Sequence, residues 1–204
     1  MSRQFRDSSI ALQAGIAGLD APEPAAAVGL AGVVIGIPEP MATELENWRA
    51  SFGDPLAAVI PPHITLVTTT PVTDWDAAAE HVRQVAREQA PFTVTMQGTG
   101  TFRPVSPVVY VNVSEGFDSC VELHRKLQSG PLARDLEFEF HPHVTVAHGV
   151  SHASMDAAEY ELAGYTASFT VSSMGLYEHD PSGVWILREE LSFDADAGPG
   201  AEGR

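Results

Sequence analysis

Two tripeptides carry the residue types of acid–base chemistry: His63-Ile64-Thr65 and His143-Val144-Thr145, each directly preceded by proline and set in a β-branched run. Along a strand, successive side chains face opposite sides, so the His and Thr of each tripeptide share a face. Brought together, two such strands would present two imidazoles and two hydroxyls to one small volume. With an ordinary pKa near ~6.5, one imidazole can take a proton while the other gives one close to neutral pH. Hydroxyls can hydrogen-bond oxygens on which negative charge builds. This donor set is a cage for a phosphate, and it calls for no cofactor.

The segments around the two tripeptides repeat as well. After His63 come a helix-like stretch, then Phe92-Thr-Val-Thr, then Val108-Val-Tyr110-Val. After His143 come another helix-like stretch, then Phe169-Thr-Val-Ser, then Val184-Trp185-Ile-Leu. Phe92 follows its histidine by 29 residues and Phe169 by 26; Tyr110 follows by 47 and Trp185 by 42. Each tripeptide thus occupies the same place in a strand–helix–strand–helix–strand–strand order, with Val108–Val113 shared. Motifs in register within an internal repeat predict two lobes about a pseudo-twofold axis, with a site on that axis.

Several helices and strands must position these residues. Strands are expected at Val33–Ile37, His63–Thr69, Phe92–Phe102, Val108–Val113 and Phe138–Ala147, and a closing hairpin from Tyr165–Tyr177 and Val184–Phe193. Helices are expected at Pro40–Phe52, Asp74–Glu88 (capped by Asp74 or Thr73), Phe117–Leu127 and Ser154–Leu162. The alternation predicts an α+β fold with sheets covered on one face by helices. Residues 1–27 read as a flexible extension with a short helix at Ser8–Leu19, residues 28–193 as the domain, and residues 194–204 as a disordered acidic tail.

Composition narrows the partners. The 204 residues suffice for a sizeable core. They hold 11 Lys and Arg against 27 Asp and Glu, a net charge of −16. Long nucleic acids are gripped by basic side chains, so a DNA duplex is excluded as a partner. A small phosphodiester or a short RNA end fits better. No apolar run approaches the ~18 residues of a membrane span, and Ile10–Leu19, broken by Gly15 and Gly18, lacks a signal-peptide core. A cytoplasmic, monomeric protein that contacts no membrane is expected, and the lone Cys120 is read as a buried helix residue.

Pro-Pro-His63-Ile-Thr65-Leu and His-Pro-His143-Val-Thr145-Val-Ala resemble the paired signature of the 2H phosphoesterase superfamily, in particular its bacterial 2′-5′ RNA ligase-like branch, the RNA 2′,3′-cyclic phosphodiesterases. Gly98-Thr-Gly-Thr-Phe102-Arg103 and Met174-Gly-Leu-Tyr177 resemble further stretches of that branch. The resemblance implies a bilobal fold, with two antiparallel sheets facing a central groove and helices outside. It implies metal-independent opening of a 2′,3′-cyclic phosphate to a 2′-phosphate, with weak reverse ligation. His63 would be the general acid, His143 the general base, and Thr65 and Thr145 the contacts to non-bridging oxygens.

Two departures from the family pattern bear on substrate choice. Val67-Thr68-Thr69-Thr70 stands where Arg-Phe-Leu-Gly is usual, and His148 stands where an arginine is usual. The family's substrate specificity therefore does not carry over directly. His148, Arg103, Tyr110 and Trp185 are the candidate substrate contacts; a solvated surface is the competing reading for His148 and Arg103, and core packing for the two aromatics. Three other readings are carried alongside: a phospholigand-binding or nucleotide-binding module without turnover, a 2H enzyme acting on another small cyclic phosphodiester, and a zinc site built from His141, His143, His148 and His152. His81, His124 and His179 are read as surface residues.

Overall fold

Alternation of buried and exposed residues marks out most of the strands, and the computed structural model pairs them into a single curled antiparallel sheet. The structure describes residues 4–6, 27–179 and 184–194. The first half of the chain holds β1 (Gln4–Arg6), β2 (Gly29–Gly36), α1 (Met41–Ser51), β3 (His63–Val72), α2 (Trp75–Arg87) and β4 (Phe92–Thr101). The second half holds β5 (Val108–Glu115), α3 (Phe117–Leu127), a 3-10 turn (Gly130–Leu132), β6 (His143–His148), α4 (His152–Glu161), β7 (Thr166–Val171), β8 (Ser173–His179) and β9 (Val184–Ser192). Asp74 caps α2 by accepting from the Ala77 amide at 3.0 Å, as its residue type favours.

Strand order across the sheet is β1-β9-β8-β2-β3-β6-β5-β4-β7. The two expected sheets are therefore joined edge to edge: β3 meets β6 through the single pair Ile64↔Val144. On either side of that junction the lobes mirror each other, β9-β8-β2-β3 in one and β6-β5-β4-β7 in the other. All four helices pack on one face. Leu45 of α1, Val82 of α2, Leu123 of α3 and Met155 of α4 join Ile64, Leu66, Val144 and Val146 in one core. Each such large aliphatic side chain contributes ~1.5–3 kcal/mol by leaving water. The opposite face carries the groove.

The structure departs from the sequence expectations in three respects. Tyr165–Tyr177 is not one hairpin strand. It breaks at Ser172, with β7 pairing β4 in one lobe and β8 pairing β2 and β9 in the other. The expected strand from Phe138 begins only at His143, because Pro142 has no amide to donate to a ladder, and the preceding residues run as an exposed loop. His81, His124 and His179 are not free surface residues. His81 Nε2 bonds the Leu127 carbonyl at 3.2 Å, His124 Nδ1 donates to the Leu66 carbonyl at 2.7 Å, and His179 is buried against Trp185. Most of the extension and tail, the helix expected at Ser8–Leu19 and the turn at 180–183 lie outside the described residues. The exception is β1, which pairs with Val184–Ile186 on the edge of β9. Cys120 is fully buried in α3, and burial pushes its thiol up to about 12.

Candidate active site

The junction between β3 and β6 sets the floor of the site. Ile64 and Val144 face each other with no exposed surface, pointing into the helix-covered core. Stepping the antiparallel register by one residue either way sets His63 opposite Thr145 and Thr65 opposite His143. All four therefore share the groove face, and all four line one cavity of about 570 Å³. The pseudo-twofold axis passes through the Ile64–Val144 pair.

Both central strands then break alternation at the same step. In β3 the register runs Val34↔Thr65 and then Val33↔Val67, leaving Leu66 as an extra residue. In β6 it runs Tyr110↔Thr145 and then Val109↔Ala147, leaving Val146 extra. Two consecutive residues are thereby buried in each strand, Leu66-Val67 and Val146-Ala147. A bulge re-aims whatever follows it, so Thr68 and His148, each five residues beyond a catalytic-candidate histidine, return to the groove and line the cavity. The His124 ring occupies the Leu66 carbonyl and lies flat on Phe140 at 3.9 Å, which holds the first bulge in place.

Each imidazole is oriented by a backbone carbonyl two residues earlier. His63 Nδ1 bonds the Pro61 carbonyl at 2.8 Å, and His143 Nδ1 bonds the His141 carbonyl at 2.7 Å. A carbonyl can only accept, so Nδ1 carries the proton and the neutral ring has its lone pair at Nε2. The environments differ more than the sequences. Phe102 sits edge-on to the His143 ring at 4.9 Å, and Tyr110 lies 5.1 Å away. Burial pushes the His143 pKa down to about 4, with smaller contributions in the same direction from the charges of His141 and His63. His143 is thus neutral through the physiological range.

The walls are held by a buried ion pair. Arg49 of α1 and Asp54 are 6% and 1% exposed in their side chains. Arg49 Nε donates to Asp54 Oδ2 at 3.0 Å, and Arg49 Nη1 donates to the Ile60 carbonyl. Asp54 Oδ1 accepts from the Leu56 amide at 2.9 Å. This network ties down the loop that delivers Pro61, and with it the carbonyl that orients His63. Leu56 and Ile60 of the same loop cover a second apolar cluster of Val34, Tyr177 and Trp185 on the groove side of the sheet.

The model of the 2′-5′ RNA ligase superfamily matches residues 37–183. The chain belongs to this superfamily. The match spans both His-x-Thr strands, the two bulges and the interlobe junction. Among curated relatives, a candidate phosphoesterase of Bacillus licheniformis is 34% identical over 122 residues, covering 59% of this chain and 71% of that protein. One from Bacillus pumilus is 35% identical over 122 residues, covering 59% and 70%. Among solved structures, Escherichia coli LigT complexed with 3′-AMP superposes with a TM-score of 0.61 at 20% identity, over 81% of this chain and 98% of that one. TT0787 of Thermus thermophilus gives a TM-score of 0.57 at 17% identity, over 82% and 99%. These two likenesses show the shared fold.

Within this superfamily member, the residues singled out from sequence fall into two groups. His63, Thr65, His143, Thr145 and His148 line one cavity. Arg103, Tyr110 and Trp185 stand elsewhere. Arg103 is engaged by Asp156 at 2.7 Å and Glu159 at 2.8 Å. Tyr110 does belong to the groove face, as the cross-strand partner of Thr145, but Phe102 covers it at 4.4 Å and it is buried. Trp185, 2% exposed, lies one layer behind the wall, filling the space left by Gly32, where a Cβ would come within 2.2 Å of the indole. From sequence, no role attached to Phe102, Thr68, Arg49, Asp54, Glu137 and Phe138, all of which line the cavity. Two of them had a signal, Phe102 in the Gly-Thr-Gly-Thr-Phe stretch and Thr68 in the stretch that departs from the family pattern. Among the described residues, no three His, Cys, Asp or Glu side chains group closely enough to hold a metal, and no helix is long and apolar enough to cross a membrane.

Proposed function

We propose that the protein is a phosphodiesterase that opens a 2′,3′-cyclic phosphate on a nucleotide or RNA end by two-histidine acid–base catalysis. The observation that supports this most is the paired floor: two His-x-Thr strands in mirrored register, each with its histidine Nδ1 tied to a carbonyl, which makes Nε2 the nitrogen for proton exchange. His143, held neutral by burial, suits the base. Its Nε2 takes a proton from water, whose oxygen forms a new bond to phosphorus. The bond from phosphorus to O3′ breaks, and O3′ takes the proton carried on Nε2 of His63, leaving a 2′-phosphate. Thr65 and Thr145 donate to the non-bridging oxygens, where charge grows in the transition state. No electron changes hands and no metal is needed. Ligation would follow the same path with the 5′-hydroxyl of a second RNA in the place of water, so that a 2′-5′ phosphodiester forms as the bond to O3′ breaks.

The test is product analysis with EDTA present, using 2′,3′-cyclic nucleotides and a short RNA ending in a cyclic phosphate. Hydrolysis to the 2′-phosphate is expected, and His63→Ala and His143→Ala should each lower it by about 10²-fold or more. Hydrolysis that survives either substitution would overturn the assignment. Binding of cyclic nucleotide without turnover would favour the binding-module reading.

A further inference from the structure

The rim of the cavity differs chemically from its floor. Six large apolar side chains stand exposed among the described residues: Val28, Val59, Val105, Leu136, Phe138 and Tyr160. Four of these, Val59, Val105, Leu136 and Phe138, sit in the three loops that border the cavity. Phe138 and Val105, 61% and 64% exposed, line it directly, next to Phe102 and Val108. Concentrated apolar exposure at a pocket mouth marks a surface that a ligand covers.

Charge at the rim points the same way. Of the residues lining the cavity, Arg49 is the sole Lys or Arg, and Asp54 already neutralises it. The exposed rim carboxylate Glu137 lies beside Phe138. Farther off, Arg83, Arg87, Arg103, Lys126 and Arg188 each pair with a carboxylate, and Arg134, at the start of the Phe138 loop, is turned to the Thr69 carbonyl at 3.1 Å. A chain of further phosphates leaving past Glu137 and Phe138 would meet an acidic, apolar rim rather than counter-charges. A substrate with one phosphate and one flat base would instead place the phosphate among the His-x-Thr side chains and the base against Phe138.

We infer that Phe138, which shares the cavity rim with Val105, is the base-stacking and specificity-determining residue, and that the substrate is a single nucleoside 2′,3′-cyclic phosphate rather than the end of an RNA chain. This rests on the phosphodiesterase reading above. Glu137 contributes by disfavouring any second phosphate.

The experiment has a kinetic and a binding arm. The kinetic arm compares kcat/KM for a cyclic mononucleotide, a trinucleotide ending in the same cyclic phosphate, and ribose 2′,3′-cyclic phosphate without a base. The mononucleotide should exceed both by roughly tenfold or more, the size of one base–aromatic stack. Phe138→Ala should bring the mononucleotide-to-ribose ratio to within a few-fold of one, and Glu137→Gln should raise the trinucleotide relative to the mononucleotide. The binding arm compares a nucleoside 2′-monophosphate with inorganic phosphate, and Phe138→Ala should collapse that preference as well. A ratio untouched by Phe138→Ala, or a trinucleotide turned over as well as the mononucleotide, would overturn the inference. Base-dependent binding lost in Phe138→Ala without turnover of any substrate would uphold the stack and overturn the hydrolase reading. Phe138 is exposed, so its truncation leaves folding intact.

Discussion

Asp54→Asn is the substitution whose effect the structure dictates most fully. The side chains of Arg49 and Asp54 are almost wholly buried, and Arg49 is stationed between Asp54 and the Ile60 carbonyl. Asparagine keeps an oxygen for the Leu56 amide that Asp54 now serves at 2.9 Å, so the change isolates the loss of charge. It leaves a guanidinium buried without its counter-ion, a loss of about 3–5 kcal/mol in comparable cases. For a domain of this size that lowers Tm by roughly 6–20 °C. A second effect should appear in catalysis: relaxing the loop moves the Pro61 carbonyl, so kcat should fall more than KM rises. Chemical denaturation and steady-state kinetics on the same preparations read both. Arg49→Met combined with Asp54→Leu should recover most of the stability, because the penalty lies in the orphaned charge rather than in the lost attraction. A loss below about 1 kcal/mol for Asp54→Asn would refute the reasoning, as would a double variant no more stable than the single one.

Two further outcomes follow from the surroundings of His143. With its pKa pushed down to about 4, kcat/KM should rise as pH climbs through about 4; the acid limb of kcat should lie higher, because a bound phosphate anion favours the protonated ring. Stability follows the same sign: between pH 6.5 and about 4 the unfolded chain holds a proton that the folded ring refuses. Folding should therefore weaken by up to about 3 kcal/mol on acidification through that window, and His143→Asn should flatten the slope in a pH series of melts. Separately, a Cβ on residue 100 would fall 2.7 Å from the Tyr110 ring. Gly100→Ala should thus cost about 1–3 kcal/mol and lower kcat through the displaced ring beside His143, measured by calorimetry and initial rates.

The floor of the site was legible because strand periodicity is local: a His and a Thr two apart share a face wherever the strand goes. The repeat then supplied the partner strand. His148 is the instructive case, since strict alternation would turn a residue five beyond His143 away from the groove; only the extra residue at Val146, a feature of pairing with β5, brings it back. Tyr110 lies in a run buried on both faces, and Trp185 in the apolar start of β9, where it alone is buried, so apolar character could not tell wall from core. Which ring meets the ligand depends on where the loops holding Phe102 and Phe138 come to rest, and Arg49–Asp54 depends on a helix end folding back on its own loop. None of these contacts leaves a period in the sequence. The break at Ser172 was hidden for the same reason: the segment from Tyr165 to Tyr177 has strand composition throughout, while its two halves find partners in different lobes.

That crossing means that neither half of the chain owns a sheet. Strands β2 and β3 from the first half are completed by β8 and β9 from the second, and β4 is lent in the opposite direction. Two copies of one half could satisfy each other only as an exchanged, intertwined pair, with identical strands meeting on a true dyad. Such a pair would be bound to give its two histidines the same surroundings and the same affinity for a proton. Fusing the halves into one polypeptide removes that obligation. One ring can then be enclosed by Phe102 and Tyr110, and a symmetric scaffold is free to give its two histidines the different roles that the proposed mechanism asks of them.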